Sequence, residues 1–275
     1  FAPLDVPSYV KSFLDHWRPD LGVFVESEIW PNLILESAYA KIPLALVNAR
    51  MSKRSFRRWR GRRGLAEPLF GRLDLVLSQN SHFARQYLEL GAQTAEAVGN
   101  LKIDAPPQPI NAQALADLKV AIGDRPVLLA ASTHEGEEAI LADAYRDLAA
   151  TVVNPLLIIA PRHPERATAI LQALKARGFT VAQRSAGEVP SAATQIYLAD
   201  TMGELGTLYA LSPVAFIGKS LVPEGGQNPI EAARHGTTIL TGPSYFNFQD
   251  ATSALVDAGG AIVVRDATEL AANAA

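Results

Sequence analysis

Two segments of this 275-residue chain have the residue types and spacing of an anion and nucleotide site. In APRHPER (Ala160–Arg166), Arg162 directly follows the buried-looking run Leu156–Ala160, where a guanidinium can bind an anion at a helix start. In KSLVPEGGQNPIEAARHG (Lys219–Gly236), a Gly-Gly turn precedes Asn228-Pro229, which opens a helix whose Glu231 lies one turn in. Glycines allow close backbone approach, a helix N-terminus favours phosphate, and a carboxylate at that depth can accept from a ribose diol. A capped helix with a stabilising acid in its first turn explains the second segment equally well, and the segment alone leaves both readings open. Weaker patterns lie earlier. VFVESEIWPNLI (Val23–Ile34) sets Glu26 and Glu28 two apart ahead of Trp30, Pro31 and Asn32, with Pro31 suited to a first helical turn. VNARMSKRS (Val47–Ser55) and GNLKID (Gly99–Asp104) place Asn48, Arg50 and Lys102 after apolar runs.

Positioning these residues requires strands with helices between them. Short apolar runs predict strands near Gly22–Glu26, Leu44–Asn48, Leu73–Ser78 and Ala95–Gly99, with helices near Pro31–Ala40, Lys53–Phe70 and Ser81–Leu90. DAPPQPIN (Asp104–Asn111) has three prolines and no periodicity, the pattern of a linker. Strands follow near Val127–Ala131, Leu156–Ala160, Thr180–Gln183, Gln195–Leu198, Val214–Ile217, Thr238–Leu240 and Ala261–Val264. This grammar predicts two Rossmann-like α/β domains with parallel sheets, residues 1–104 and 112–275 joined by 105–111, facing a cleft. In such sheets ligands bind beyond the carboxyl ends of the strands, where the polar residues above fall, together with Ser132-Thr133-His134, Asp200, Lys219 and Ser220.

Composition narrows the functional class. Hydrophobic residues make up 48% and charged residues 19%, the balance of a core-forming protein. No apolar run reaches the ~18–20 residues that span a bilayer, and the absence of cysteine excludes disulfides, thiolate nucleophiles and Cys-ligated zinc. The chain begins at Phe1 with neither a basic nor an apolar leader pattern, which suggests natural sequence ahead of it. Net charge is −3, yet Arg50, Lys53, Arg54, Arg57, Arg58, Arg60, Arg62 and Arg63 stand within fourteen residues without an acid. Such a cluster seeks an anionic surface or forms a solvated face, and Phe56 and Trp59 inside it favour a lipid interface as shallow anchors.

In order, ESEIWPN, VNARMSKRS, GNLKID, STHEGEE (Ser132–Glu138), APRHPER, GGQNPIE and GPSYFNF (Gly242–Phe248) resemble the Kdo transferase family, from about Leu4 to Val264. The resemblance implies GT-B architecture and an inverting, metal-independent glycosyltransferase. It would move Kdo from CMP-Kdo to a lipid A precursor at the cytoplasmic face of a Gram-negative inner membrane. No cofactor beyond the donor and no nucleic-acid partner are implied, while peripheral contact with an anionic membrane is.

Carried over on the matching motifs, Glu26 and Lys102 are the catalytic residues implied, stabilising the transition state. A lysine can offset charge on the departing phosphate and a carboxylate can favour an oxocarbenium-like sugar. Pro161, Arg162, Met202, Gly203, Glu204, Asn228, Pro229, Ile230 and Glu231 match the segments that hold CMP. Two departures stand out: Gly218-Lys219-Ser220 where the family reads G-G-S, and Gly225-Gly226-Gln227-Asn228 where it reads G-G-H-N. The family's general base, a glutamate of an N-terminal segment, has no counterpart after Phe1, so this chain by itself is expected to lack a complete catalytic set. The rival readings are a GT-B enzyme using a UDP-sugar, separable by CMP and UDP competition, and a non-catalytic nucleotide- or nucleic-acid-binding module.

Overall fold

A computed structural model describes residues 2–104 and 106–275, Lys102 by its backbone alone. The chain divides into two units, Phe1–Ala105 and Pro106–Ala275. The first runs α1 (Pro7–Trp17), β1 (Gly22–Val25), α2 (Pro31–Tyr39), β2 (Leu44–Ala49), α3 (Lys53–Arg60), α4 (Arg63–Phe70), β3 (Leu75–Ser78), α5 (Ser81–Glu89) and β4 (Ala95–Ala97), then a 3₁₀ turn at Leu101–Ile103. Its sheet is wholly parallel in the order β1-β2-β3-β4. Ile34, Leu46, Phe70, Leu73, Val76 and Tyr87 form its core.

The second unit runs α6 (Ala112–Ile122), β5 (Val127–Thr133), α7 (Glu137–Thr151), β6 (Leu156–Pro161), α8 (Ala167–Ala176), β7 (Val181–Gln183), β8 (Ile196–Leu198), α9 (Leu205–Leu211) and β9 (Val214–Ile217). It continues through α10 (Ile230–Arg234), β10 (Thr238–Thr241), α11 (Gln249–Asp257), β11 (Ala261–Val263) and α12 (Ala267–Ala274). Its seven parallel strands lie in the order β11-β10-β9-β5-β6-β8-β7. Residues alternate between two cores along each strand, Leu128 and Ala130 facing one and Leu129 and Ala131 the other. A sheet buried on both faces needs continuous apolar runs, and all six residues of β6 are buried. The strand order reverses between β5 and β9: the chain leaves β5 towards β6 and later returns to β5's other side.

Three details differ from the sequence-based expectation. The helix predicted over Lys53–Phe70 is two helices, because the Gly61 N–H closes α3 on the Arg57 carbonyl and Arg62 leaves helical geometry at φ −129°, ψ 50°. Phe56 and Trp59 are not lipid anchors: both pack against the core of the first unit, Trp59 meeting Phe70 edge-on with ring centroids 5.4 Å apart. The arginines of α3 are left to face solvent, and no residue of that helix is buried. Finally, α1 buries only Val10 and Leu14, so its apolar stripe is thin and its periodicity easily missed. Among the described residues no helix is long and apolar enough to cross a membrane.

Candidate functional site

Among the described residues, seven other than glycine have left-handed backbone. Arg18, Lys41 and Asn154 sit after helices, where the chain commonly turns this way. The other four, Glu26 (φ 61°), Asn48 (51°), Ser132 (56°) and Lys219 (64°), lie at the carboxyl ends of β1, β2, β5 and β9. Such backbone costs ~1–2 kcal/mol per residue for an L-amino acid and persists only where surrounding contacts impose it. Four of the seven thus lie at strand ends, the place where open parallel sheets bind ligands.

In the first unit, the Glu26 N–H donates to the Val47 carbonyl at 2.9 Å, and the Arg50 Nε lies 3.3 Å from Glu26 Oε2. Ser27 and Tyr87 hydroxyls both donate to the Arg50 carbonyl, at 3.1 and 3.0 Å, fixing the backbone beside that ion pair. Buried Asn48 accepts from the Leu101 N–H at 3.1 Å, so the second asparagine-bearing motif holds the 3₁₀ turn on which Lys102 sits. The side chain of Lys102 lies outside the described residues. Glu28 is engaged as an acceptor for Trp30 Nε1 at 2.7 Å. Asn32 donates through its amide to the Asp5 carbonyl at 2.7 Å, and Asp5 Oδ1 in turn accepts from the Leu33 N–H at 2.8 Å, closing the N-terminus of α2.

In the second unit, Glu137 is fully buried and its carboxylate accepts four backbone N–H groups. Oε2 takes those of His134 (2.9 Å) and Lys219 (2.7 Å), and Oε1 those of Ser220 (2.9 Å) and Leu221 (3.1 Å). One side chain thus ties the loop after β5 to the loop after β9, across the strand-order reversal where open sheets bind ligands. Gly218 completes the junction, since a Cβ there would lie 2.4 Å from the Ser132 carbonyl oxygen. Beside it, Glu138 accepts a bidentate pair from Arg166 at 2.9 and 3.1 Å.

A recess of about 240 Å³ opens at this point, lined by Gln108, Ser132, Arg162, Leu205, Tyr209, Ile217, Gln227, Asn228 and Glu231. The Arg162 guanidinium is exposed and has no partner among the described residues, which leaves it available to an anion. The Asn228 amide donates to Glu231 Oε1 at 3.4 Å while its Oδ1 accepts from the Ile230 N–H at 3.2 Å, so Asn228 bonds the first N–H of the short helix and orients the carboxylate. Burial and the negative charge of Glu231 push the Tyr209 phenol far above its ordinary pKa, keeping it neutral. Burial also lowers His134, with Lys219 adding to the shift and a hydrogen bond to the Ser132 carbonyl opposing it. The net shift favours the uncharged imidazole.

Of the residues matched to CMP-holding segments the recess brings together Arg162, Asn228 and Glu231, and of the other strand-end residues named from sequence it adds Ser132. Pro229 and Ile230 form the buried helix start behind them and Pro161 ends β6. Met202 and Gly203 lie just ahead of Leu205, Met202 exposed. The Glu204 carboxylate is taken by Arg184, at 3.1 and 2.7 Å, and by the Thr201 hydroxyl, and none of Met202, Gly203 and Glu204 is among the residues that line the recess. Asp200 likewise accepts from Gln183 at 2.7 Å and from the Ser185 N–H at 2.9 Å. Two contributors were not singled out as site residues in the sequence: Glu137 falls inside the STHEGEE motif but reads there as an ordinary acid in a first helical turn, and Gln108 lies in a proline-rich run that reads as a spacer. Among the described residues no group of three His, Asp or Glu is arranged to hold a metal ion.

The family described as 3-deoxy-D-manno-octulosonic-acid transferase (kdotransferase) matches residues 1–105. A 3-deoxy-D-manno-octulosonic acid transferase from Haemophilus influenzae is 35% identical over 280 residues, covering all of this chain and 66% of that protein. The crystal structure of the C-terminal CMP-Kdo binding domain of WaaA from Acinetobacter baumannii is 34% identical, with a TM-score of 0.56 over 59% of this chain and 86% of that one. The chain belongs to the Kdo transferase family. It spans slightly under two thirds of the length of the first of these relatives. The fold is that of GT-B proteins, shared also with a UDP-N-acetylglucosamine 2-epimerase-like protein from Listeria monocytogenes at 15% identity and a TM-score of 0.62 over 98% of this chain and 68% of that one.

Proposed function

We propose that this Kdo transferase family chain carries the donor-binding and transition-state-stabilising machinery of an inverting transfer of Kdo from CMP-Kdo to a lipid A precursor. The observation that carries the reading is the recess at the β5/β9 reversal, lined both by Arg162, whose guanidinium has no partner among the described residues, and by an oriented carboxylate, Glu231. A nucleoside monophosphate supplies a phosphate for the first and a ribose diol for the second. Met202, Gly203 and Glu204 contribute main-chain groups, and Pro161, Asn228, Pro229 and Ile230 hold Arg162 and Glu231 in place. The acceptor hydroxyl oxygen bonds to the anomeric carbon as the bond from that carbon to the phosphate oxygen breaks, releasing CMP, and the hydroxyl proton passes to a general base other than Glu26 and Lys102. Lys102 neutralises charge on the departing phosphate and Glu26, oriented by Arg50, favours the cationic sugar. The reaction needs no metal, so EDTA leaves it unchanged.

The acceptor lies in the inner membrane, and the protein meets its cytoplasmic face through the arginines of α3 and the following turn. With Phe56 and Trp59 turned into the core, this docking is electrostatic, at ~1 kcal/mol per basic residue near an anionic surface. Calorimetric titration with CMP and UDP tests the donor assignment. CMP binds and UDP competes poorly, and Glu231→Ala weakens CMP by about 1–3 kcal/mol, the cost of losing a charged hydrogen-bond partner. Unchanged CMP affinity in that variant removes Glu231 from the site.

A further inference from the structure

We infer that Gln108 is a further ligand of the nucleotide, giving its side-chain amide to the base, and that Gly206 is the residue that puts it there. The inference rests on the recess being the nucleotide site. Gln108 lines that recess, yet it belongs to the segment leading into α6 rather than to any strand end. That segment is held against α9: the Asn111 N–H donates to Thr207 Oγ1 at 3.0 Å, and its backbone lies directly on Gly206. A Cβ at position 206 would stand 2.5 Å from the Pro109 oxygen and 2.6 Å from the Gln108 oxygen, distances that backbone atoms cannot tolerate. Only glycine permits the approach. Its effect is to seat Gln108 in a recess that Leu205 and Tyr209 also line, side chains that suit a flat aromatic ring.

The remaining polar groups divide the ligand by chemistry. Arg162 matches the phosphate and Glu231 the ribose diol, so the base falls to the part of the recess without charge. The edge of a pyrimidine carries donors and acceptors side by side, and a carboxamide offers one of each. The Gln108 amide has no hydrogen-bond partner among the described residues, so it engages a ligand without breaking an internal bond. A consequence is that an occupied site holds the segment entering the second unit through both its backbone and a side chain.

Calorimetry on the full chain with CMP, and with ribose 5-phosphate as competitor, tests this. Gln108→Ala weakens CMP about fivefold to tenfold, the loss of one neutral hydrogen bond, and leaves ribose 5-phosphate unchanged because that ligand has no base. Gly206→Ala, which lifts the segment from α9, produces the same selective loss. In the unaltered chain, amide hydrogen exchange over residues 107–111 slows when CMP is added. If the unaltered chain does not bind CMP, the site reading fails and the inference with it. If CMP binds the unaltered chain and Gln108→Ala equally, or if the variant weakens CMP and ribose 5-phosphate alike, the site reading stands and the role of Gln108 is overturned.

Discussion

Replacing Glu137 by glutamine tests whether one buried carboxylate assembles the rim of the second sheet. The substitution keeps the shape of the side chain and removes its charge. Each carboxylate oxygen accepts two backbone N–H groups, so whichever end becomes the amide nitrogen loses two hydrogen bonds and points donors at donors. Bonds to a charged acceptor contribute ~1.5–3 kcal/mol each, and two of them give an expected destabilisation of about 3–6 kcal/mol. That is a large part of the ~5–15 kcal/mol that holds a typical domain folded. Glu137→Ala is expected to be worse, since it leaves all four N–H groups without their acceptor at a site with no exposure. Urea unfolding followed by circular dichroism reads the loss as a lower midpoint at constant slope. CMP affinity should fall as well, because the loops bearing Ser132 and Lys219 lose their common tie. A change below about 1 kcal/mol for Glu137→Gln would refute the argument, showing that the loops keep their geometry without the charge.

In an active form of the enzyme, Lys102→Ala and Glu26→Gln should each lower kcat by about 10²–10³ with little change in CMP affinity, as for groups acting mainly in the transition state; near-normal turnover in both would remove them from the chemistry. The hydrogen bonds from Arg184 hold the Glu204 carboxyl below its ordinary 4.5, a shift that burial opposes. A lowered folded-state pKa stabilises above 4.5 and is lost as pH falls through the folded value, so Glu204→Gln should be less stable than the unaltered chain at pH 7 and approach it in acid unfolding below pH 4.5. Neutralising Arg57, Arg58, Arg60, Arg62 and Arg63 should reduce sedimentation with anionic liposomes, an interaction that weakens as salt rises; unchanged binding would make the cluster a solvated face. Lys219→Gly should raise the unfolding midpoint by an amount equivalent to about 1 kcal/mol, because glycine adopts φ 64° without strain.

Most of the strand pattern was legible because a parallel sheet covered on both faces demands unbroken apolar runs. β6 and β9 are read directly from IIA and VAFI, and their ends are correct to within a residue or two. Patterns that depend on fewer buried residues were less legible. α1 contributes two core residues, and the break between α3 and α4 turns on the backbone of one residue, Arg62, in an arginine-rich stretch whose pattern continues through it. Phe56 and Trp59 show the limit of local reading most clearly. Two aromatics among eight cations look like a membrane edge, but which way they face is decided by Phe70 and the core around it, which lies outside the segment. The same holds for Arg162 and Glu231, whose residue types were visible while their convergence depended on the strand order.

The strained residues explain why the rims are held so firmly by groups whose types alone say little. Left-handed backbone at Glu26, Asn48, Ser132 and Lys219 is unfavourable in isolation, so each must be imposed by a contact. At Asn48 that contact is the hydrogen bond to the Leu101 N–H, which also fixes the turn carrying Lys102. At Lys219 it is the bond from its own N–H to Glu137. Ser132 is held from the other side, by the His134 ring on its carbonyl and by the close approach of Gly218. Glu26 is held on β2 through the Val47 carbonyl and paired with Arg50. At two of the four strained positions, Asn48 and Lys219, the holding group is thus a short amide or a buried carboxylate, whether or not it touches a ligand. Motif residues such as Asn48 and Glu137 can thus recur in the sequence pattern as supports for the site, while Arg162 and Glu231, which face the open recess, are the ones whose loss should be felt first by the ligand.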